Sequence, residues 1–315
     1  MTADGVRWPA RVISTLVGGV LVVSGVGAVG ASGDNQQPAQ AWPVGAALSA
    51  TPTQAAAGTP TGEHSWSAAG STRRQSLASM PARFGYSGQA LLQMNLCLSG
   101  MADCFENTQY PRVVEEAIDV IAARRPFAVT FNEACRGDIA RIAKETGYHL
   151  RFATVTHDGQ PLRCISPAGR GVFGNAVITQ AAVAGSTDGT FIAQVGSEDR
   201  GWICVETIRK VSVCTTHLST RESRAAADAN SAQCEEFTAV LAARHEHAAV
   251  LAAGDINRRH DCAPDNMWVR TDVQASKLPG LQHSYGIAQH FPAPQAKILP
   301  AMYTDHDFLL TEPAK

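Results

Sequence analysis

Residues 248–257 read AAVLAAGDIN: six apolar side chains in a row, then Gly254, Asp255 and Asn257. An apolar run of this length without alternation fits a strand buried on both faces, so the polar residues after it fall where the strand emerges. The same layout recurs along the chain. Residues 89–95 (QALLQMN) end on Asn95, residues 127–133 (FAVTFNE) on Glu133 and residues 211–217 (VSVCTTH) on His217. GNAVIT at 174–179 carries Asn175, and TDHD at 304–307 sets Asp305 and His306 directly before a short strand over 308–311. Polar groups delivered by the ends of hydrophobic strands are placed as catalytic and binding groups usually are, on loops at one end of a rigid sheet.

Between these strands, Val113, Val114, Ala117, Ile118 and Ile121 recur at helical spacing and predict a helix over 111–125 that stops at Pro126. A second helix is expected over 138–146, closed by Gly147, and a third over 222–245. Further strands are expected over 149–156, 172–179, 191–195 and 202–208.

The 315 residues carry a net charge of -2 and a pI near 6.5, which supplies no broad basic field of the kind that announces a nucleic-acid partner. Arg7 and Arg11 precede an apolar run from Val12 to Ala31 that ends in small residues, the layout of an export signal over 1–31; a retained membrane anchor is the alternative. Residues 32–83 are dominated by Ala, Gly, Pro, Ser, Thr and Gln. Such a stretch buries too little to offset its ordering entropy and is expected to be a flexible tether, with the folded domain over 84–315.

All eight cysteines lie in that domain, and an even count in an exported chain points to disulfides rather than metal ligands. A hairpin turning at Arg209 and Lys210 sets Cys204 opposite Cys214. By the same locality Cys97 is expected to pair with Cys104, Cys135 with Cys164, and Cys234 with Cys262.

The ordered series QMN, FNE, GNAVIT, TTHLS, GDIN and TDHD resembles the endonuclease/exonuclease/phosphatase superfamily, with its DNase I-like fold, from about Phe84 to the C-terminus. The resemblance implies a four-layer α/β/β/α sandwich and a phosphoesterase that works with Mg²⁺, with Mn²⁺ or Ca²⁺ as alternatives. It implies Asn95 and Glu133 as metal ligands, and His217, Asp255, Asn257, Asp305 and His306 as catalytic groups. Asn175 and Arg170 are expected as phosphate contacts. Two departures stand out: Asn132 replaces the usual Gln before the metal carboxylate, and in place of an acid-bearing IDYI-like strand before the last motif the chain has residues 281–285 (LQHSY), which leaves His283 as the stand-in, with Asp305 filling part of that role. Arg136, Arg170, Arg221, Arg258 and Arg259 lie near the motifs in sequence and favour a nuclease-like phosphodiester substrate. A sphingomyelinase, an inositol-phosphate phosphatase and a non-catalytic binding module on the same scaffold are the alternatives. No obligate protein partner is implied, and a secreted or extracytoplasmic monomer is expected.

Overall fold

The computed structural model describes residues 89–314, so the expected export signal over 1–31 and the tether over 32–83 lie outside the described residues. In chain order the elements are β1 (Leu91–Asn95), a 3₁₀ turn (Asp103–Asn107), α1 (Arg112–Arg124), β2 (Ala128–Cys135), α2 (Arg136–Thr146), β3 (His149–Thr154), β4 (Thr156–His157), β5 (Gln160–Pro161) and β6 (Phe173–Thr179). They continue with β7 (Val183–Thr190), β8 (Gly201–Thr207), β9 (Val211–His217), α3 (Arg224–His245), β10 (Ala249–Asp255), β11 (Met267–Thr271), β12 (Gln282–Ile287), β13 (Gln295–Leu299) and β14 (Phe308–Glu312). One sheet runs β13-β14-β1-β2-β6-β3, a second runs β11-β12-β10-β9-β8-β7, and β4-β5 is a small separate hairpin.

The four layers follow from which side chain of each strand faces which neighbour. Leu91, Ala128, Val177, Val205, Val213, Leu251 and Ala253 meet between the two sheets. Their neighbours one residue along, Leu92, Val129 and Ile178, turn outward onto α1 and α2, whereas Val250 and Ala252 turn outward with Tyr285 onto Phe237 and Leu241 of α3. Each central strand is therefore buried on both faces, which is why its sequence is a continuous apolar run. At about 1.5–3 kcal/mol for each large buried side chain, these three clusters dominate the stabilisation of the domain.

Helix boundaries follow local chemistry. Residue Arg125 closes α1 in the left-handed region (φ 45°), next to Pro126, and Gly147 closes α2 at φ 78°. The side chain of Ser223 accepts the Ala226 N–H and caps α3.

The strand expected over 191–195 is not present. The strand there is β7, which lies upstream at Val183–Thr190 and pairs only with β8. Its sequence, VAGSTDGT, is a half-exposed polar edge with little apolar signal, held by pairing alone. All four expected disulfides are present, and Cys204 and Cys214 are opposed in the β8–β9 register with Cα atoms 4.0 Å apart.

Candidate active site

The parallel strands β1 and β2 of one sheet, and β9 and β10 of the other, end together, and their last residues converge. Two backbone features turn the side chains into a common space. The β2–β6 register shifts between Phe131 and Ala134, and within that bulge Glu133 takes φ 52°, an uncommon conformation for a residue of its kind. After β10, Asn257 takes φ 50°. Gly254 is required for close approach: a Cβ there would lie 2.1 Å from the Thr216 carbonyl oxygen on β9. Non-glycine residues held at positive φ cluster at functional sites, where the surrounding structure fixes them.

The centre is a chain of close contacts. Asn95 Nδ2 donates to Glu133 Oε1 at 2.8 Å and to Asp255 Oδ2 at 3.0 Å. His306 Nε2 lies 3.4 Å from the same Asp255 oxygen and 4.0 Å from Asp305 Oδ2. His217 Nε2 lies 3.8 Å from Glu133 Oε1 and 3.2 Å from Asn257 Nδ2, which donates to the Leu218 carbonyl at 3.0 Å. The second Asp255 oxygen accepts the Asn257 N–H at 3.1 Å. Glu133, His217, Asp255, Asn257, Asp305 and His306 all line one cleft of about 550 Å³.

Beneath the cleft, Asn132 ties the two sheets together. Its Oδ1 accepts the Gln93 side-chain amide at 2.7 Å and the Asp255 N–H at 2.8 Å, while its Nδ2 donates to Asn175 Oδ1 and to the Thr216 carbonyl. The shorter amide that replaces Gln at this position is thus saturated. An Asn132→Ala variant strands several of these buried partners and is expected to lose about 3 kcal/mol of stability, as a lowered denaturant midpoint. A change under about 0.5 kcal/mol would contradict the role of this hub.

Several sequence expectations are corrected by this geometry. Arg170 does not face the cleft: it is buried, ion-paired with Asp138 at 2.9 Å, and donates to the carbonyls of Leu98 and Pro167. Proximity in sequence to a motif misplaced it. Asn175 also lies behind the site, as a partner of Asn132. His283 belongs to the core. It is fully buried on the same strand face as Tyr285, whose side chain packs towards α3, and burial lowers its pKa to about 4. The alternate face of β12 carries Gln282, which donates to the Asp307 carbonyl at 2.6 Å and to Asp272 at 3.2 Å. Asn95 is fully buried, and its nitrogen, not its oxygen, spans the carboxylates; its Oδ1 accepts the Cys97 N–H at 3.2 Å. In this arrangement the Asn95 amide links the two acids.

Other residues of the site were not singled out from the sequence. Arg200 Nη1 lies 2.6 Å from His217 Nδ1, and its Nη2 pairs with Glu198 at 3.2 Å; both residues line the cleft. A guanidinium only donates, so in the shorter contact His217 Nδ1 accepts and the neutral ring carries its proton on Nε2; the 3.2 Å approach of the Asn257 amide nitrogen to Nε2 is then a contact between two donors and not a hydrogen bond. Burial, then the charges of Arg200 and His306, hold the His217 pKa well below the ordinary value. His217 is therefore a neutral hydrogen-bond donor. Replacing Arg200 with Ala is expected to raise the His217 pKa, read by NMR titration, and to lower turnover about 10–100-fold, the usual loss when the group orienting a site residue is removed. An unmoved pKa would contradict it. Asp307 steadies the loop from the other side, accepting the N–H groups of Ser276, Lys277 and Ala301.

The acids fit a hard cation. Burial above all, with the charges of Glu198 and Asp305 beside it, pushes the Glu133 carboxyl up to about 7, against the opposing bond from Asn95. A partly buried carboxylate that burial holds above its ordinary value despite the Asn95 bond and the charge of His306, beside two further acids, suits an oxygen-loving divalent metal, which would offset that burial. The sulfurs of Cys97 and Cys104, although close to Glu133, are committed to their disulfide and cannot bind a metal as thiolates.

Comparison with solved structures decides the architecture. An endonuclease/exonuclease/phosphatase from Beutenbergia cavernae DSM 12333 matches 72% of this chain and 71% of its own, with a TM-score of 0.53 at 19% identity. The chain has the endonuclease/exonuclease/phosphatase fold. The human Nocturnin catalytic domain, solved with bound sulfate, shares this fold at a TM-score of 0.54 and 14% identity, over 73% of this chain and 94% of that one. No protein-family model and no curated protein sequence matches the chain. In this fold the two-sheet sandwich with outer helices is the four-layer arrangement described above, with the cleft at the shared end of β1, β2, β9 and β10.

Proposed function

We propose that the chain is an exported phosphoesterase that hydrolyses a phosphodiester with a divalent cation, magnesium by preference, held by Glu133. The observation that carries this reading is the convergence of Glu133, Asp255, His306 and His217 through Asn95 in one cleft. When bound, the cation supplies positive charge to the phosphoryl oxygens. The chain's own groups account for the rest. Asp255 is held at one oxygen by Asn95 and at the other by the Asn257 N–H, so its carboxylate is oriented to position a water and accept its proton. His306, 3.4 Å away, shares that proton or contacts the phosphate. His217, neutral, donates from Nε2 to a phosphoryl oxygen as charge develops there.

Export is supported by four disulfides, which persist in oxidising compartments. The nuclease-like reading narrows to short or single-stranded substrates. Among the arginines near the motifs only Arg221 lines the cleft, where with Arg200 it stands against Asp103, Glu133, Glu198, Glu222, Asp255 and Asp305. A duplex would demand a continuous basic track along its phosphates.

The test is a panel with magnesium: a DNA oligonucleotide, an RNA oligonucleotide, sphingomyelin vesicles and inositol phosphates. Hydrolysis of the oligonucleotides supports the reading. Turnover confined to sphingomyelin or to inositol phosphates would replace the substrate, and no turnover of any would favour a binding module.

A further inference from the structure

Beside the cleft the guanidinium groups of Arg221 and Arg258 approach one another across the amide of Asn230. Arg221 lines the cleft wall, and Arg258 follows Asn257 directly. Each places Nη1 3.4 Å from Oδ1 of Asn230, so these nitrogens are no further apart than twice that distance. Asn230 is fully buried, and its Nδ2 donates to the carbonyls of Ser219 and Ile256 at 2.7 and 2.9 Å. Those bonds fix the amide, with its one oxygen turned towards both cations.

Little else holds the pair. The other contacts of Arg221 are long, at 3.4 Å to the Ala227 carbonyl and 3.5 Å to Ser231 Oγ. Nε of Arg258 is buried and has no hydrogen-bond partner. Among the described residues the arginines that pair with a carboxylate are Arg141, Arg170, Arg200 and Arg224. Burial, then repulsion from Arg221, lowers the Arg258 pKa against the smaller attraction of Asp261 and Glu235, so the two cations remain unfavourable to one another. A tetrahedral oxyanion between them would meet the planar N–H forks of both guanidiniums and remove the repulsion.

We propose that Arg221 and Arg258 form a second phosphate subsite, which takes a phosphate group that the substrate carries next to the ester that reacts. This rests on the phosphoesterase reading above and narrows it to substrates with at least two phosphates. The neighbouring phosphate of a nucleic-acid strand and the second phosphate of a small bisphosphate present the same chemistry.

The test compares two substrate pairs with magnesium-loaded protein: a thymidine dinucleotide with and without a terminal 5′-phosphate, and an inositol bisphosphate against a monophosphate. Wild type is expected to favour the member with the extra phosphate by at least about tenfold in kcat/KM, the effect of one charge-assisted contact. The pair that shows the preference names the source. In R221Q and in R258Q the ratio should collapse towards one; a ratio unchanged in both, or no preference in wild type, overturns the proposal. Arg221 is exposed, so R221Q keeps the test informative should R258Q not fold. If wild type turned over none of these substrates, the phosphoesterase reading would fall, and the subsite would still be read by calorimetry. In metal-free protein, where the acids of the cleft repel anions, wild type should bind inorganic phosphate at least about tenfold more tightly than R221Q. Equal affinity would overturn the subsite.

Discussion

Glu133→Gln is expected to weaken the apparent magnesium affinity at least about a hundredfold, beyond the 10–100-fold typical of lost supporting contacts, because it removes the charged oxygen itself. The same change is expected to stabilise the metal-free protein. The Glu133 pKa is raised on folding, from 4.5 to about 7, so the folded state holds a proton there that the unfolded state has released between those values. Stability of metal-free wild type should therefore fall as pH rises from about 4.5 to about 7, by about 3 kcal/mol on the scale of 1.36 kcal/mol for each pKa unit. Glutamine carries no charge and should flatten that slope. Denaturant midpoints at pH 5 and pH 8, with chelator present, measure it; parallel slopes in the two proteins would contradict the assignment. A variant that gains stability as it loses function marks a residue kept for its chemistry.

His306→Ala is expected to lower turnover about 10²–10⁴-fold at saturating magnesium, the range for a lost proton-transfer group. Its contact is with Asp255 Oδ2, and it reaches Glu133 only through its charge, so metal affinity should change less than turnover. Kinetics at several magnesium concentrations separate the two. Equal losses in metal affinity for both variants would show that His306 acts as a ligand instead.

The residues that were legible in the sequence share one property: each lies at or near the end of a buried apolar strand, Asp305 and His306 just before β14 and the others in the last residues of, or just after, β1, β2, β9 and β10. Glu133 and Asp255 stand out because continuous apolar runs precede them, and the parallel pairing of β1 with β2 and β9 with β10 brings those ends together. Edge strands were not legible in the same way. In β7 and β13 the side chains are largely exposed and the strand exists through pairing with one neighbour, so composition carries little of the signal. The loop residues Glu198 and Arg200 escaped for a related reason. They follow no run and border no motif, and only the return of the chain into β8 sets Arg200 against His217. The reverse error befell Arg170, which sits close to a motif in sequence but is buried in the loop before β6 against Asp138 of α2, and His283, which lies in the buried strand β12. Alternation explains His283: on β12 neighbouring residues point to opposite faces, and Gln282 takes the face towards Asp307.

The cysteine bridges were legible because they are local. Cys204 and Cys214 oppose one another across the hairpin that delivers His217, and Cys97–Cys104 closes the loop after Asn95 against Glu133. Both therefore restrain segments that carry site residues, in addition to limiting the unfolded chain.

Hydrolysis of bis(4-nitrophenyl) phosphate, followed as magnesium is removed and restored, reports whether this cleft cleaves phosphoesters with a metal held by Glu133. Turnover should be abolished by EDTA, restored by excess magnesium, and missing from E133Q at magnesium concentrations saturating for wild type. Turnover indifferent to EDTA, or equal in wild type and E133Q, would contradict that reading.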